Sequence, residues 1–483
     1  MQLPFIVAVE APTWAELRRA ARRPWVWVAA IVTIAGVAVA ITAYVQVRRT
    51  EAVGEATLRV TSDPNGAAID VDGRALGHTP TELRLAAGDH RVTLHRDGYA
   101  EAIGPVSLTL GGESDLHADL WLWTPEFQQL RPTFPGATIA GAAFLTDGRI
   151  ALTIALPPDD ERQTWLMDAD GGMRRLGPPE ARGALAVAPD GSRIAYAAHG
   201  QDDTDATGAQ PDEVWVAPAD RERGARAYVL TTEMRDERLI DLSWAPDGQH
   251  LLLVTRYQLA GGGHRTRLLW LDTARGEVEK LANIPSEVVP GGYGWSPTGE
   301  LVAFLAQSGQ MTSLCLVRTD GTEIRYLADL YHDDASPLAF PPVAWSSDGS
   351  RMLYAAPLQN QGVNQGGWLW GAQSAPALFE VRASRPQEQR VGTAEGQSPA
   401  WREDGSIVTL ARPKLGGPLT LRMVEPDGSI RDLGELPLKA GPTYAARWDI
   451  AHAQAIVAIR GTASTGANRP EYWLVRFRPE AAR

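Results

Sequence analysis

Cysteine is almost absent. The single thiol in 483 residues, Cys315, sits in the apolar run SLCLV. It closes no intramolecular disulfide and joins no paired-cysteine metal or redox motif, and a small buried apolar role is expected of it. The linear signatures of common catalysis are missing as well. There is no GxSxG nucleophile elbow, no HExxH and no GxxxxGK[ST] phosphate loop. An excess of basic residues is also lacking: 46 Lys and Arg against 58 Asp and Glu give a net charge of −12. So acidic a surface repels phosphate backbones, and nucleic acid is excluded as an expected partner. With no catalytic motif to point to, the sequence reads as a non-enzymatic chain.

Long apolar runs are absent too, with one exception. The stretch from Trp25 to Val45 is 21 residues without a charge. As a helix it is about 31 Å long, enough to cross a bilayer. Trp25, Trp27 and Tyr44 stand near its ends, where amphipathic rings favour the interface. Four arginines (18, 19, 22 and 23) precede it closely. The positive-inside bias then places the N-terminus in the cytoplasm and the bulk of the chain outside the cell membrane. A cleaved signal peptide would have a shorter apolar core of about 7–15 residues and a small-x-small site, whereas this stretch ends in AYVQVRR.

What remains is rich in short alternating strands. ATLRVTS, AAIDVDG, TELRLAAG, HRVTLHRDG and VSLTLGG each alternate apolar and polar residues and end at turn residues, as in a small β-sandwich. Pro64, Gly66, Ala67, Asp72-Gly73, Gly77, Thr79, Pro80, Gly88, His90, Gly98 and Tyr99 carry a resemblance to the PEGA domain family, with Asn65 where the family has its Glu. The glycines suit turns, Thr79-Pro80 an extended approach to the next strand, Tyr99 a cap on the core and His90 a hydrogen-bonded structural role. The resemblance implies an envelope or surface module without catalysis.

Beyond residue 125 one pattern returns seven times. It reads AAFLTDGRIALTI (142–154), LAVAPDGSRIAYA (185–197), LSWAPDGQHLLLV (242–254), YGWSPTGELVAFL (293–305), VAWSSDGSRMLYA (343–355), PAWREDGSIVTLA (399–411) and ARWDIAHAQAIVA (446–458). The starts lie 43 to 57 residues apart, the period of four-stranded propeller blades. Asp-Gly makes the turn between first and second strands. The slot before it holds Phe144, Val187, Trp244, Trp295, Trp345, Trp401 and Trp448, read as inter-blade packing. The seventh unit stops after EYWLVRF, one strand short, and EFQQLRP (126–132) is expected to complete it and close the ring. The motif resembles the W-S-P-D-G blades of TolB-type, WD-repeat-like propellers, a resemblance that implies fold more than function.

The expected fold is therefore all-β with one N-terminal transmembrane helix: a small β-sandwich plus a seven-bladed β-propeller closed by an N-terminal strand. The boundaries are 1–24 cytoplasmic tail, 25–45 membrane helix, 46–55 linker, 56–121 PEGA-like sandwich and 126–483 propeller.

In a propeller the second-to-third and blade-to-blade loops share one face, and here they are the long ones. The 357–376 loop sets Trp368 and Trp370 among Asn360, Asn364 and Gln365. Amides beside flat rings suit sugar or peptide recognition, or the rings fold over a blade. Asp203, Asp205 and Thr207 open like a calcium loop, with Gly208 at the sixth position. The closing Glu is missing, so the alternative is a solvated acidic loop. No cofactor is expected apart from that calcium. The reading is a membrane-anchored binding or scaffold protein whose long-loop face recognises a protein, peptide or cell-wall glycan. Two alternatives stay open: a glycan-active enzyme with its site in the propeller mouth, and a ligand-sensing receptor acting through a membrane partner.

Overall fold

The computed structural model describes residues 55–478, apart from positions 133, 310 and 403 and the stretches 159–160, 169–170, 177–184, 200–211, 220–223, 231–236, 333–339, 357–375, 383–384, 413–416, 440–442 and 461–469. The expected membrane helix over 25–45 lies outside the described residues. Among the described residues every regular element is a strand, and no helix is long and apolar enough to cross a membrane. Two compact units emerge, divided near residue 120, with Gly98–Ala100 grouping with the second.

The first unit holds two sheets. One runs Thr81–Ala86, Glu55–Asp63, Glu113–Asp119, the last two parallel. The other runs Arg74–His78, Ala68–Val71, Gly88–His95, Ala102–Leu108. The period-2 pattern buries Ala56, Leu58 and Val60 from one sheet and Ile69, Val71, Val92 and Leu94 from the other. Asp72 (φ 51°) and Gly73 (φ 80°) join Val71 to Arg74 as a two-residue turn with both φ positive, the conformation for which Asp-Gly is favoured. Thr79 does more than the extended approach expected of it. Its buried hydroxyl accepts the Gly66 and Ala67 N–H groups at 3.1 and 3.0 Å and meets Ser62 Oγ at 2.5 Å. Tyr99 groups with the second unit, its backbone bridged to Leu122.

His90 has the structural role expected. Its Nδ1 lies 2.7 Å from Asp72 Oδ2 and its Nε2 2.7 Å from the Ala86 carbonyl. Both partners are acceptors, and only the imidazolium has two N–H donors. The Ala86 carbonyl first and the Asp72 carboxylate second raise the His90 pKa above 6.5. A raised folded pKa gives stability that is complete below about pH 6.5 and lost as pH rises through the folded value. His90 is accordingly expected to titrate above 6.5 by proton NMR, and His90→Gln to remove that pH dependence; titration at or below 6.5 contradicts the arrangement.

The second unit is seven four-stranded antiparallel sheets, the fourth with its first strand in two pieces. The first strands of blades 1 to 7 are Thr138–Phe144, Leu185–Val187, Arg238–Trp244, Glu287–Val288 with Gly294–Trp295, Val343–Trp345, Gln397–Trp401 and Thr443–Asp449. The seventh sheet takes its outer strand from Glu126–Leu130, which pairs antiparallel with Pro470–Arg476 in the register Val475 to Phe127. This is the closing strand the sequence lacked at its far end. One core cluster then runs across the joint, combining Ile139, Ile150 and Leu152 of blade 1 with Ile456, Leu474 and Leu130 of blade 7.

Local chemistry explains the repeat. In blade 3 the Asp247 carboxylate accepts the Gln249 N–H at 2.8 Å, while Gly248 at φ 63° donates to the Ala245 carbonyl. Asp147, Asp190, Asp348 and Asp404 repeat the same bond two residues on. The aromatic slot ties neighbouring blades. Trp244, Trp345 and Trp448 donate their indole N–H to the Ala186, Gly294 and Ser398 carbonyls of the preceding blade, and Trp295 donates to Ser243 Oγ. Trp401 makes no such bond and lies instead under the Arg351 guanidinium, 4.3 Å from its ring.

Candidate functional site: the central channel

Strand alternation turns the residue before each aromatic slot away from the blade body. The column reads Ala143, Ala186, Ser243, Gly294, Ala344, Ala400 and Arg447. Six members are small, which leaves open space between the blades; the seventh is an arginine. Ala143, Ala186 and Ser243 line a cavity of about 390 Å³ bounded by blades 1, 2, 3, 4 and 7. Ala344 and Ala400 line one of about 170 Å³ bounded by blades 5, 6 and 7. Arg447 lines both.

Three charged side chains border these cavities: Arg162, Asp241 and Arg447. Asp241 is engaged on both oxygens. Its Oδ2 accepts the Gly291 N–H at 2.7 Å and the Tyr293 hydroxyl at 3.0 Å, and its Oδ1 the Leu242 N–H at 2.9 Å. Gly291 is free to donate because VVPGGYGW breaks the first strand of blade 4, so its amide is not spent in the sheet. Burial pushes the Asp241 carboxyl up, opposed by those donors and by the charge of Arg162. Burial, with the Asp241 charge second, pushes the Tyr293 phenol well above 10.

Arg447 differs. Burial lowers its pKa to about 10, and no opposing charge contributes. Among the described residues no hydrogen bond or ion pair is formed by its guanidinium. Blade 3 shows what compensation looks like in this fold. There the buried Arg267 meets Glu237 with both Nε, at 3.0 Å, and Nη2, while Thr255 Oγ1 donates to the same carboxylate at 2.5 Å. The channel thus holds a half-buried guanidinium whose hydrogen-bonding fork meets no partner among the described residues.

Trp368, Trp370, Asn360, Asn364 and Gln365 lie outside the described residues, as do Asp203, Asp205 and Thr207 of the expected calcium loop. Among the described residues no group of three or more His, Cys, Asp or Glu is placed to hold a metal. A pair of carboxylates facing the channel, which a glycan-active enzyme would use, is not found there either: Asp241 is the one carboxylate on the described walls. Sequence reasoning missed Arg447, Asp241 and Arg162. The signal for Arg447 was present in ARWDIAH, one position before the aromatic.

Residues 55–120 match the family model for the PEGA domain. No curated protein matches the chain in sequence. Among solved structures, an oligogalacturonate lyase in complex with manganese is similar at 13% identity, over 74% of this chain and 97% of that one, with a TM-score of 0.46. The propeller domain of the Trilobed protease from Pyrococcus furiosus is similar at 14% identity, over 72% and 98%, with a TM-score of 0.40. TolB from Acinetobacter baumannii is similar at 12% identity, over 66% and 77%, with a TM-score of 0.29. The expectation of a non-enzymatic chain, drawn from missing linear motifs, is corrected here: an oligogalacturonate lyase and the propeller domain of a protease stand among the similar solved structures. Propeller sites collect residues from several blades and leave no linear motif, so missing motifs do not decide the matter. Residues 55–120 are thus a PEGA domain, and the described residues that follow form a seven-bladed β-propeller.

Proposed function

We propose that the protein is a membrane-anchored, extracytoplasmic binding or scaffold protein of the cell envelope whose propeller channel takes up part of a protein, peptide or glycan ligand. The observation that carries this reading is the 390 Å³ cavity, into which blades 1, 2, 3, 4 and 7 converge with one carboxylate, two guanidinium groups and the hydroxyls of Thr153, Thr164 and Ser243. Concave sites with small apolar walls and a few converging polar groups are where ligands bind. The PEGA domain serves as the spacer between anchor and propeller. The apolar stretch 25–45 with its preceding arginines supports the anchor. Trp368 and Trp370 remain proposed outer contacts on sequence grounds.

The test is capture in the native membrane: cross-link the full chain, identify what co-purifies, and repeat with Ala143→Phe and, in the second cavity, Ala344→Phe. Filling the channel is expected to reduce the captured ligand by about tenfold or more, roughly the 1.4 kcal/mol that a blocked contact is worth at minimum. Unchanged capture by both folded variants overturns the channel as the site. Consumption of the captured ligand in place of its retention assigns turnover to the same channel.

A further inference from the structure

We propose that the channel receives the free C-terminal carboxylate of a peptide segment, held on the Arg447 guanidinium. The proposal deepens the channel-binding reading and rests on it. Its first support is the column of residues before the aromatic slot. Six blades offer Ala, Ser or Gly there and one offers Arg447, so the cavity walls hold a single long cationic side chain at that level. Its second support is charge. Of the three charged residues on the described walls, Arg162 and Asp241 oppose one another, which leaves Arg447 as the uncompensated charge of the channel in a protein of net charge −12. A half-buried guanidinium facing a cavity favours a ligand that supplies an anion. For Arg267 the chain itself supplies Glu237; for Arg447 nothing among the described residues does. A carboxylate fits the guanidinium fork with two parallel hydrogen bonds.

The walls favour a peptide over a sugar. Alanines, Val187, Pro189 and Pro290 supply apolar wall to the larger cavity, and Pro341, Pro342, Val343, Ala344 and Ala400 to the smaller. Sugar recognition needs several free acceptors and an open ring face. Here both Asp241 oxygens are already engaged. The indoles of Trp244, Trp295 and Trp448 are held between blades by their own hydrogen bonds. Small apolar side chains next to a terminal carboxylate match such a surface.

The experiment is calorimetric titration of the full chain in detergent with N-acetyl-Ala-Ala-Ala bearing either a free carboxylate or a C-terminal amide. A hydrogen bond to a buried charged group predicts that the acid binds roughly 10–100-fold more tightly than the amide. Arg447→Met, close in length but neutral, should equalise the two, and Arg447→Lys should keep part of the preference as a point charge without the fork. Equal binding of acid and amide to the parent protein overturns the carboxylate inference while leaving the channel as the site. Preference for glucuronate over both peptides overturns the peptide assignment. Failure of both peptides to bind overturns the inference as a whole, and the Ala143→Phe capture then judges the channel reading separately.

Discussion

Replacing Glu237 with alanine is expected to destabilise the propeller by about 3–5 kcal/mol, the largest effect of any single substitution considered. Its side chain is fully buried, and that of Arg267 is 7% exposed. Glu237 receives Nε and Nη2 of Arg267 and the Thr255 hydroxyl. Alanine removes the acceptor for all three and takes away the carboxylate that two guanidinium nitrogens of Arg267 meet. The cost is therefore that of a buried charge deprived of this carboxylate, larger than the net worth of the pair itself. Denaturant unfolding measures it, with Glu237→Leu/Arg267→Met as the control. Removing both charges together should recover most of the loss, since an apolar pair of similar volume avoids the desolvation. A single-variant loss below about 1 kcal/mol would show the pair to be solvated, as exposed ion pairs are.

Arg447→Met should act in the opposite direction. The free protein is expected to become more stable by up to about 1 kcal/mol, because a half-buried guanidinium with no partner among the described residues is replaced by an apolar chain. The sign follows from the lowered pKa. A base whose pKa falls from 12.5 to about 10 on folding makes an unfavourable contribution that is complete below pH 10 and relieved only as pH rises toward 12.5. At neutral pH the parent protein carries the whole of it. Thermal unfolding of parent and variant at pH 7 reads the difference, and a variant of equal or lower stability would show that Arg447 is compensated in the folded chain. The comparison separates two kinds of arginine in one fold: Arg267 is buried with its partner built in, and Arg447 is half-buried with no partner among the described residues.

The difference between these two arginines also marks what could be read before the structure. The blades were legible because their chemistry is local. Asp247 bonds two residues ahead, Gly248 takes its positive φ within the same turn, and Trp244 signals a neighbouring blade by its size alone. EFQQLRP was identifiable because the last blade was one strand short and the strand pattern fitted. The Asp72-Gly73 turn was likewise local. The channel was not legible in this way. Asp241 meets Gly291 fifty residues on, at an amide freed by a break in blade 4, and Glu237 meets Arg267 thirty residues on. Neither separation leaves a pattern in the chain. Arg447 was legible only as a departure from six small residues in an aligned column, a comparison that needs all seven blades in register. Thr79 looked like a companion to Pro80, since a hydroxyl that binds two distant amides has no sequence mark of its own.

The strand that completes the seventh blade sets a timetable for synthesis. Gln128 leaves the ribosome early, yet its partner Arg476 follows 348 residues later. At about 5–20 residues per second the wait is roughly 20–70 s. Until then Glu126–Leu130 has no partner strand, and the apolar side of Ile139, Ile150 and Leu152 lacks Ile456 and Leu474. A nascent chain stopped in the sixth blade is therefore an unfastened arc with a sticky edge at each end, not a smaller propeller. The ring can be fastened only once Pro470–Arg476 has been translated, so that a lesion near residue 474 acts on the first blade as well as on the seventh.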